Sequence, residues 1–265
     1  MFKVCTGTVN GFSSNSNDYL KWKAIYTDCI YVDGNIEINS FAPYNDTDLS
    51  SDSPLKQTEY DFSFLDNIRE ITGYLLIHQN KHLKNLQFKN LQIIRGESLL
   101  FDQISLYVED NLFLQTLDLS HLKEIQKGAV YIHNNPQLCH MNDVRWDDLI
   151  ANPSDPRKTP TISNNNNTCP KCASSCRGGC WTPKRCQQLT KISCHERCAG
   201  GRCFGPGPYD CCSGQCLGGC DGPKDTQCVA CTKLRVKTTG ECVETCPRVE
   251  TVSQSGELIH NPKGM

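Results

Sequence analysis

The chain has 265 residues, a formal net charge of −2 and 38% hydrophobic residues. This length leaves room for two domains, and the near-neutral charge gives no electrostatic reason to expect nucleic acid or an anionic membrane as a partner. No apolar run approaches the ~20 residues that span a bilayer, and the first residues lack the apolar segment of a secretory signal peptide.

A loose internal repeat runs through residues 1–150. Each copy has an apolar turn, a Gly at a bend, a short alternating strand and then an Asn. The clear copies carry this Gly and Asn at Gly73 and Asn80, Gly96 and Asn111, and Gly128 and Asn134. A period of roughly 20–30 residues predicts a leucine-rich-repeat-like or right-handed β-helical solenoid. Its apolar strand residues point inward, and the Asn side chains can bond the backbone of the turns.

Helices are predicted only at the two ends of this region. The sequence favours one at residues 17–26 and another at 142–150, where Asn142 or Asp143 can cap the first turn. An ordinary α/β domain is the alternative interpretation, but its strands would each be followed by an amphipathic helix of about 10–15 residues. The sequence lacks that regular alternation, so we predict a β-rich domain over residues 1–150.

Two polar segments interrupt the pattern. Residues 39–60 break the repeat and are predicted to form an exposed loop, which carries a glycosylation sequon at Asn45. Residues 151–168 hold several prolines and a run of asparagines, which indicates a linker between two domains. A second sequon lies in this linker at Asn166.

Residues 169–246 hold 16 of the 19 cysteines and little else that can make a core. Twelve of them form three similarly spaced quartets, at Cys172, Cys176, Cys180 and Cys186, at Cys194, Cys198, Cys203 and Cys211, and at Cys212, Cys216, Cys220 and Cys228. Modules this small bury little apolar surface, so disulfides of about 2–4 kcal/mol each must replace the core. Spacing alone does not fix which cysteines pair.

Zinc is the alternative interpretation of these cysteines, because Cys169 and Cys172, and Cys228 and Cys231, have the spacing of thiolate ligands. Only one histidine lies among them, which favours a disulfide ladder over several four-thiolate sites. Disulfides persist in oxidising compartments. We therefore interpret the sequence as part of a longer exported protein.

Motifs of catalysis are missing from the sequence. It has no phosphate-binding loop, nucleophile elbow, zinc-protease helix or dinucleotide fingerprint. The seven histidines are scattered, and no Asp or Glu stands at a spacing that would orient one of them. We predict that this chain is not an enzyme and that it has no cofactor and no metal site.

Several segments resemble the extracellular region of the epidermal growth factor receptor (ErbB) family. They are DFSFL at 61–65, GYLLI at 73–77, NLQIIRG at 90–96, NNPQLC at 134–139, CQQLTKI at 186–192 and DCC at 210–212. The resemblance implies a receptor L domain at 1–150, a linker at 151–168 and an incomplete furin-like cysteine-rich domain at 169–265. The insulin receptor group shares this architecture, but the CQQLTKI segment favours the growth factor receptors.

The resemblance also implies a pairing for the cysteines. The implied disulfides are Cys5–Cys29, Cys139–Cys169, Cys172–Cys180, Cys176–Cys186, Cys194–Cys203, Cys198–Cys211, Cys212–Cys220, Cys216–Cys228 and Cys231–Cys242. Cys246 is left unpaired. Trp181 matches a tryptophan that in this family inserts into the L domain and locks the two domains together, whereas an exposed aromatic residue is the simpler alternative.

The function implied by the resemblance is half of a growth-factor site in a receptor tyrosine kinase. Positions on the ligand face are Phe12, Ser40, Gln79 and Glu109, where the last two replace leucines of the family. Partners would be a protein growth factor and a second receptor chain, on the extracellular side of the plasma membrane. The kinase, with its ATP, and the membrane span lie outside this sequence. The alternative is a free-standing secreted decoy or scaffold.

Overall fold

The computed structural model describes residues 3–8, 16–40, 61–81, 83–198, 201–245, 249–252 and 258–261. By compactness the chain divides into two units, Met1–Leu189 and Thr190–Met265. The described residues are β-rich and contain two α-helices, α1 (Ser16–Tyr26) and α2 (Trp146–Leu149). Neither of these helices is long and apolar enough to cross a membrane.

The strands of the first unit are short. In chain order they are β1 (Val4–Thr6), β2 (Tyr31–Asp33), β3 (Ile36–Asn39), β4 (Glu70–Ile71), β5 (Leu75–His78), β6 (Asn85–Gln87), β7 (Ile93–Ile94), β8 (Ile104–Glu109), β9 (Thr116–Asp118), β10 (Glu124–Ile125), β11 (Ala129–His133), β12 (Thr161–Ser163), β13 (Cys180–Thr182) and β14 (Arg185–Cys186). The strand pairs among β1–β12 are parallel.

Each repeat contributes one strand to each of two five-stranded sheets. One sheet has the order β1-β2-β4-β7-β10, the other has the order β12-β11-β8-β5-β3, and β6 pairs with β9. Alternate strand residues of the second sheet, such as Ile77, Val108 and Ile132, are fully buried. The apolar side chains therefore point inward as the alternating pattern predicts.

Four asparagines, three of them fully buried, link successive repeats at the end of the second sheet. The Nδ2 of Asn80 donates to Asn111 Oδ1 at 2.9 Å, and Asn111 Nδ2 donates to Asn135 Oδ1 at 3.0 Å. Asn135 Nδ2 continues the series to Asn165 Oδ1 at 3.0 Å. We call these four side chains the asparagine ladder. They also bond backbone carbonyls, as when Asn111 Nδ2 donates to Ile77 O at 2.9 Å.

At one position the asparagine ladder is shifted by one residue from the repeat that the sequence predicts. Asn134 was predicted to be the equivalent of Asn111, but Asn135 takes that place. Asn134 has a φ of 55° and turns the chain after β11, so its side chain reaches Asp110 instead. Asparagine adopts this left-handed conformation more readily than most residues, which is why two asparagines stand side by side here.

The segment assigned to a linker contributes to the sheet. Residues 161–163 form β12, which pairs in parallel with β11, and Asn165 ends the asparagine ladder. The helix predicted at 142–150 is shorter than expected. It begins at Trp146, and its N-cap residue Arg145 makes no side-chain cap. Asp143 lies before the helix in a turn, where its carboxylate is 2.9 Å from His140 Nδ1.

The second unit consists of small antiparallel hairpins. Its strands are β15 (Cys216–Cys220), β16 (Cys228–Cys231), β17 (Leu234–Arg235), β18 (Cys242–Val243), β19 (Val249–Val252) and β20 (Leu258–Asn261). They pair as β15 with β16, β17 with β18 and β19 with β20. A small buried cluster there consists of cysteines, at Cys228, Cys231 and Cys242, so covalent bonds take the place of a hydrophobic core.

Candidate ligand-binding face

The second sheet has an outward side that carries two rows of side chains across the parallel strands. The first row is Glu37, Leu76, Tyr107, Tyr131 and Thr161, and the second row is Asn39, His78, Glu109, His133 and Ser163. We call these two rows the outer face. Because paired strands are parallel and in register, residues far apart in sequence become neighbours along each row.

The second row corrects the prediction that each histidine stands alone. His78 and His133 lie on either side of Glu109, because β5 and β11 both pair with β8. The sequence did carry a signal for this group. Each of these three residues precedes a member of the asparagine ladder by two positions, so alignment of the repeats on the ladder places them in one row. His82, another of the histidines, lies outside the described residues.

Glu109 is the centre of a hydrogen-bonded group on the outer face. Its Oε2 accepts from the Tyr107 hydroxyl, and its Oε1 accepts from the Tyr131 hydroxyl at 3.4 Å. His133 Nδ1 lies 3.3 Å from Oε1, and His78 Nε2 lies 3.9 Å from Oε2. The side chain of Glu109 is 20% exposed. One carboxylate thus organises four neighbouring side chains.

Aromatic rings cover the first row next to this carboxylate. Tyr107 and Tyr131 stack with centroids 5.1 Å apart, and Phe101 meets Tyr107 edge to face at 6.0 Å. Phe101 is 70% exposed. Burial raises the pKa of Tyr107, and its hydrogen bond to Glu109 raises this pKa further. Both tyrosines therefore remain neutral donors to Glu109 at physiological pH.

The structure brings together three of the four residues that the family resemblance places on the ligand face. Ser40 and Gln79 follow β3 and β5 directly, in left-handed conformations with φ of 54° and 52°. The N–H of Ser40 donates to His78 O at 2.9 Å, and the N–H of Gln79 donates to Glu109 O at 3.1 Å. They form the rim of the outer face beside Glu109. Phe12 lies outside the described residues.

Among the described residues nine disulfides are present, and they join the cysteines that the resemblance paired. They are Cys5–Cys29, Cys139–Cys169, Cys172–Cys180, Cys176–Cys186, Cys194–Cys203, Cys198–Cys211, Cys212–Cys220, Cys216–Cys228 and Cys231–Cys242. Within each quartet the first cysteine bonds the third and the second bonds the fourth. A zinc site built on these cysteines is ruled out, since a disulfide sulfur has no thiolate to offer.

Cys246 lies outside the described residues, and its unpaired state stays a prediction. Nineteen cysteines cannot all pair within one chain. We expect one free thiol for each chain and, on storage in air, covalent dimers through this residue. Peptide mapping without reduction measures this directly. A bridge from Cys246 to any cysteine of the nine pairs would contradict the assignment.

Trp181 is fully buried in the core of the first unit. Its ring meets Trp146 edge to face with centroids 5.6 Å apart. Two further residues of the same disulfide module, for which the sequence predicted no contact with the core, support this placement. Gln187 bonds both backbone groups of Arg145, at 2.7 and 3.0 Å. Gly179 has a φ of 102° and lies so close to Asp143 O that a Cβ would clash.

The structure describes one of the two glycosylation sequons. Asn45 lies outside the described residues. At Asn166 the side-chain Oδ1 accepts hydrogen bonds from the N–H and the hydroxyl of Thr168, both at 2.9 Å. The Asn and Thr side chains of this tripeptide are thus in contact. Its glycosylation stays a prediction.

Comparison with known proteins agrees with this architecture. The receptor L domain family matches residues 28–150, and the furin-like cysteine rich region matches residues 156–260. The epidermal growth factor receptor of Drosophila melanogaster is 37% identical over 276 residues, which cover 99% of this chain and 18% of that protein. The receptor tyrosine-protein kinase erbB-2 of Rattus norvegicus is 34% identical over 285 residues, with 99% of this chain and 21% of that protein covered.

A third relative, the epidermal growth factor receptor of Gallus gallus, is 36% identical over 275 residues, which cover 99% of this chain and 36% of that protein. The chain therefore spans about a fifth to a third of the length of these curated relatives. Its two matched regions, its nine disulfides and its identity to these receptors over nearly all its residues agree with one another. The chain belongs to the epidermal growth factor receptor (ErbB) family and carries the receptor L domain and furin-like cysteine-rich region of its extracellular part.

Proposed function

We propose that this chain supplies half of a growth-factor-binding site in the extracellular region of a receptor tyrosine kinase. The observation that carries the proposal is the outer face, where aromatic rings, a carboxylate and the exposed rim residue Gln79 lie side by side on a rigid parallel sheet. The names of its relatives, epidermal growth factor receptor and receptor tyrosine-protein kinase, support it. The kinase and its ATP belong to other parts of the receptor in this proposal.

The chemistry of the outer face favours a ligand with basic side chains. Gln79 and Glu109 stand where the family resemblance places leucines, and Asp110 adds a second carboxylate next to Glu109. Exposed aromatic rings attract cations over their faces. Burying a carboxylate against an apolar ligand would carry a desolvation cost. An epidermal growth factor-like ligand rich in Arg or Lys at the contact avoids that cost.

We expect this chain alone to bind an epidermal growth factor-like ligand weakly. In the family the ligand is clamped between two L domains, and one L domain alone loses the gain in effective concentration that two linked half-sites provide. Calorimetric titration of the oxidised chain should therefore give a dissociation constant that is micromolar or weaker. A submicromolar constant would refute the half-site.

The position of the weak site is tested by amide NMR of the labelled chain during titration with the same growth factor. Shifts are expected at His78, Gln79 and Glu109, and Gln79→Arg should weaken the response to a basic ligand through like-charge repulsion. Gln115→Arg is the matched control, because Gln115 is exposed and does not belong to the outer face. Shifts confined to the second unit would move the ligand site away from the outer face.

We further propose that the two parallel sheets of the first unit are the sides of a right-handed β-helical solenoid. The support is that each repeat adds one strand to each sheet and that the asparagine ladder stacks one residue from each repeat. Crossover connections between parallel strands of a sheet are right-handed in nearly all proteins.

In this proposal the chain lies outside the cell and takes part in ligand-dependent pairing with a second receptor chain. The alternative is a free-standing secreted protein that sequesters the growth factor. A full-length transcript separates the two. The receptor requires further cysteine modules, an apolar segment of about 20 residues and a kinase sequence, whereas a transcript with none of these would favour the secreted protein.

A further inference from the structure

His78, Glu109 and Asp110 form a group of potential metal ligands at the rim of the outer face. Their ligand atoms lie within 4.8 Å of one another, and all three residues are partly exposed. His78 Nε2 and Glu109 Oε2 are 3.9 Å apart. That separation is too long for a hydrogen bond. Two ligand atoms that each lie about 2.0–2.2 Å from the same metal ion can be this far apart.

The contact between His78 and Asn39 decides which ring nitrogen of His78 carries the proton and which has a free lone pair. The Oδ1 of Asn39 lies 3.2 Å from His78 Nδ1, so this nitrogen carries the proton and donates. His78 Nε2 is then an acceptor that points towards a carboxylate oxygen. Two acceptors in this arrangement repel each other unless a proton or a metal ion lies between them.

His133, on the other side of Glu109, has the opposite tautomer. Its Nε2 lies 2.9 Å from the amide nitrogen of Asn164, which can only donate. The proton therefore sits on Nδ1, which faces Glu109 Oε1 at 3.3 Å. The protonated Nδ1 of His133 makes no hydrogen bond to the carboxylate and has no lone pair to offer, so His78 is the histidine with a free lone pair for a metal.

We propose that His78, Glu109 and Asp110 bind a divalent transition-metal ion such as Zn²⁺ on the outer face. The ligands would be the imidazole Nε2 and one oxygen of each carboxylate. A mixed set of imidazole and carboxylates suits zinc and its first-row neighbours, whereas calcium and magnesium prefer oxygen ligands alone. The site stands whether or not the outer face binds a growth factor.

The residues around this group hold the ligands as metal sites require. Metal-binding histidines generally donate their other N–H to a nearby acceptor, and ligating carboxylates accept hydrogen bonds. Asn39 provides the first of these contacts. The Tyr107 hydroxyl bonds Glu109, and Asn134 Nδ2 donates to Asp110 Oδ1 at 2.6 Å. The ligand atoms are therefore oriented before a metal arrives.

Another histidine group does not have these properties. His140 and Asp143 lie beside Cys172 and Cys180. These two cysteines are joined in a disulfide, so they offer no thiolate. Among the described residues this leaves the group at the rim of the outer face as the better metal site.

The proposal is tested by calorimetric titration of the untagged, oxidised chain with ZnCl₂, after alkylation of the free thiol. We expect one equivalent of Zn²⁺ to bind and the side-chain NMR signal of His78 Nε2 to shift. Asn39→Ala should weaken binding by about 10–100-fold, the usual loss when an orienting residue is removed. His78→Gln should weaken it more, and Glu109→Gln and Asp110→Asn should each weaken it.

His121→Gln is the matched control, since it removes a histidine that is not on the outer face and should leave the affinity unchanged. Circular dichroism of every variant separates loss of a ligand from loss of the fold. His133→Gln should cost less than His78→Gln. A larger loss for His133→Gln, an unchanged affinity in well-folded His78→Gln, or no binding by the parent chain would each overturn the proposal.

Discussion

Replacement of Trp181 by alanine is expected to lower the free energy of unfolding of the first unit by about 3–5 kcal/mol, the range for removing a buried aromatic side chain. The indole is fully buried against Trp146. Calorimetry or chemical denaturation of the oxidised chain measures the loss. This result would support the docking role that the family resemblance implies for Trp181.

Two variants make the test specific. Trp181→Phe retains a ring in the same place and should recover a large part of the stability. Tyr209→Ala removes an aromatic side chain that is 80% exposed, and it should change the unfolding free energy little. If Trp181→Ala melts at the same temperature as the parent chain, Trp181 does not stabilise the first unit and the docking role is wrong.

Asn111→Ala is expected to lower the free energy of unfolding by at least ~3 kcal/mol, about as much as Trp181→Ala. The reason is that each buried polar group left without a partner costs about 1–3 kcal/mol. The side chain of Asn111 accepts from both the N–H and the Nδ2 of Asn80, and it donates to the carbonyls of Ile77 and Glu109. The alanine variant removes these four hydrogen bonds in a buried place, although Glu109 O keeps the N–H of Gln79 and Asn80 Nδ2 keeps the carbonyl of Ile38. Denaturation in urea gives the value.

Asn134→Ala is the matched control for the asparagine ladder. Asn134 is exposed and bonds Asp110 rather than the ladder, so we expect a smaller loss of about 1–2 kcal/mol, which is the cost of alanine in the left-handed conformation of this residue. Equal losses for Asn111→Ala and Asn134→Ala would show that stability does not depend on the buried series.

This comparison also shows how far the sequence determines the repeat. The period and the alternation of apolar residues predicted a β-rich stack, because they depend on local geometry. The sequence does not show which of Asn134 and Asn135 belongs to the asparagine ladder, because both are the same residue type. Their roles differ only through backbone conformation, since the left-handed turn at Asn134 directs the next side chain inward. Likewise Asn165 joined the ladder from a segment whose prolines indicated a linker.

For a related reason, the sequence predicts only part of the candidate site. The family resemblance identifies Gln79 and Glu109, whereas the sequence by itself shows His78 and His133 only as scattered histidines. Their relation to Glu109 exists only across strands, at separations of 31 and 24 residues. A search for an acid near each histidine along the sequence misses such groups, and alignment of the repeats in register finds them.

The burial of Trp181 and the pairing of β12 with β11 have a consequence for the smallest part of the chain that can fold by itself. A polypeptide cut after Ile150 would keep every predicted repeat but lose β12, the end of the asparagine ladder, the disulfide partner of Cys139 and the indole that covers Trp146. Its open end would expose apolar side chains to water and invite self-association. We therefore expect the smallest polypeptide that folds by itself to extend to about Leu189, where the compact first unit ends.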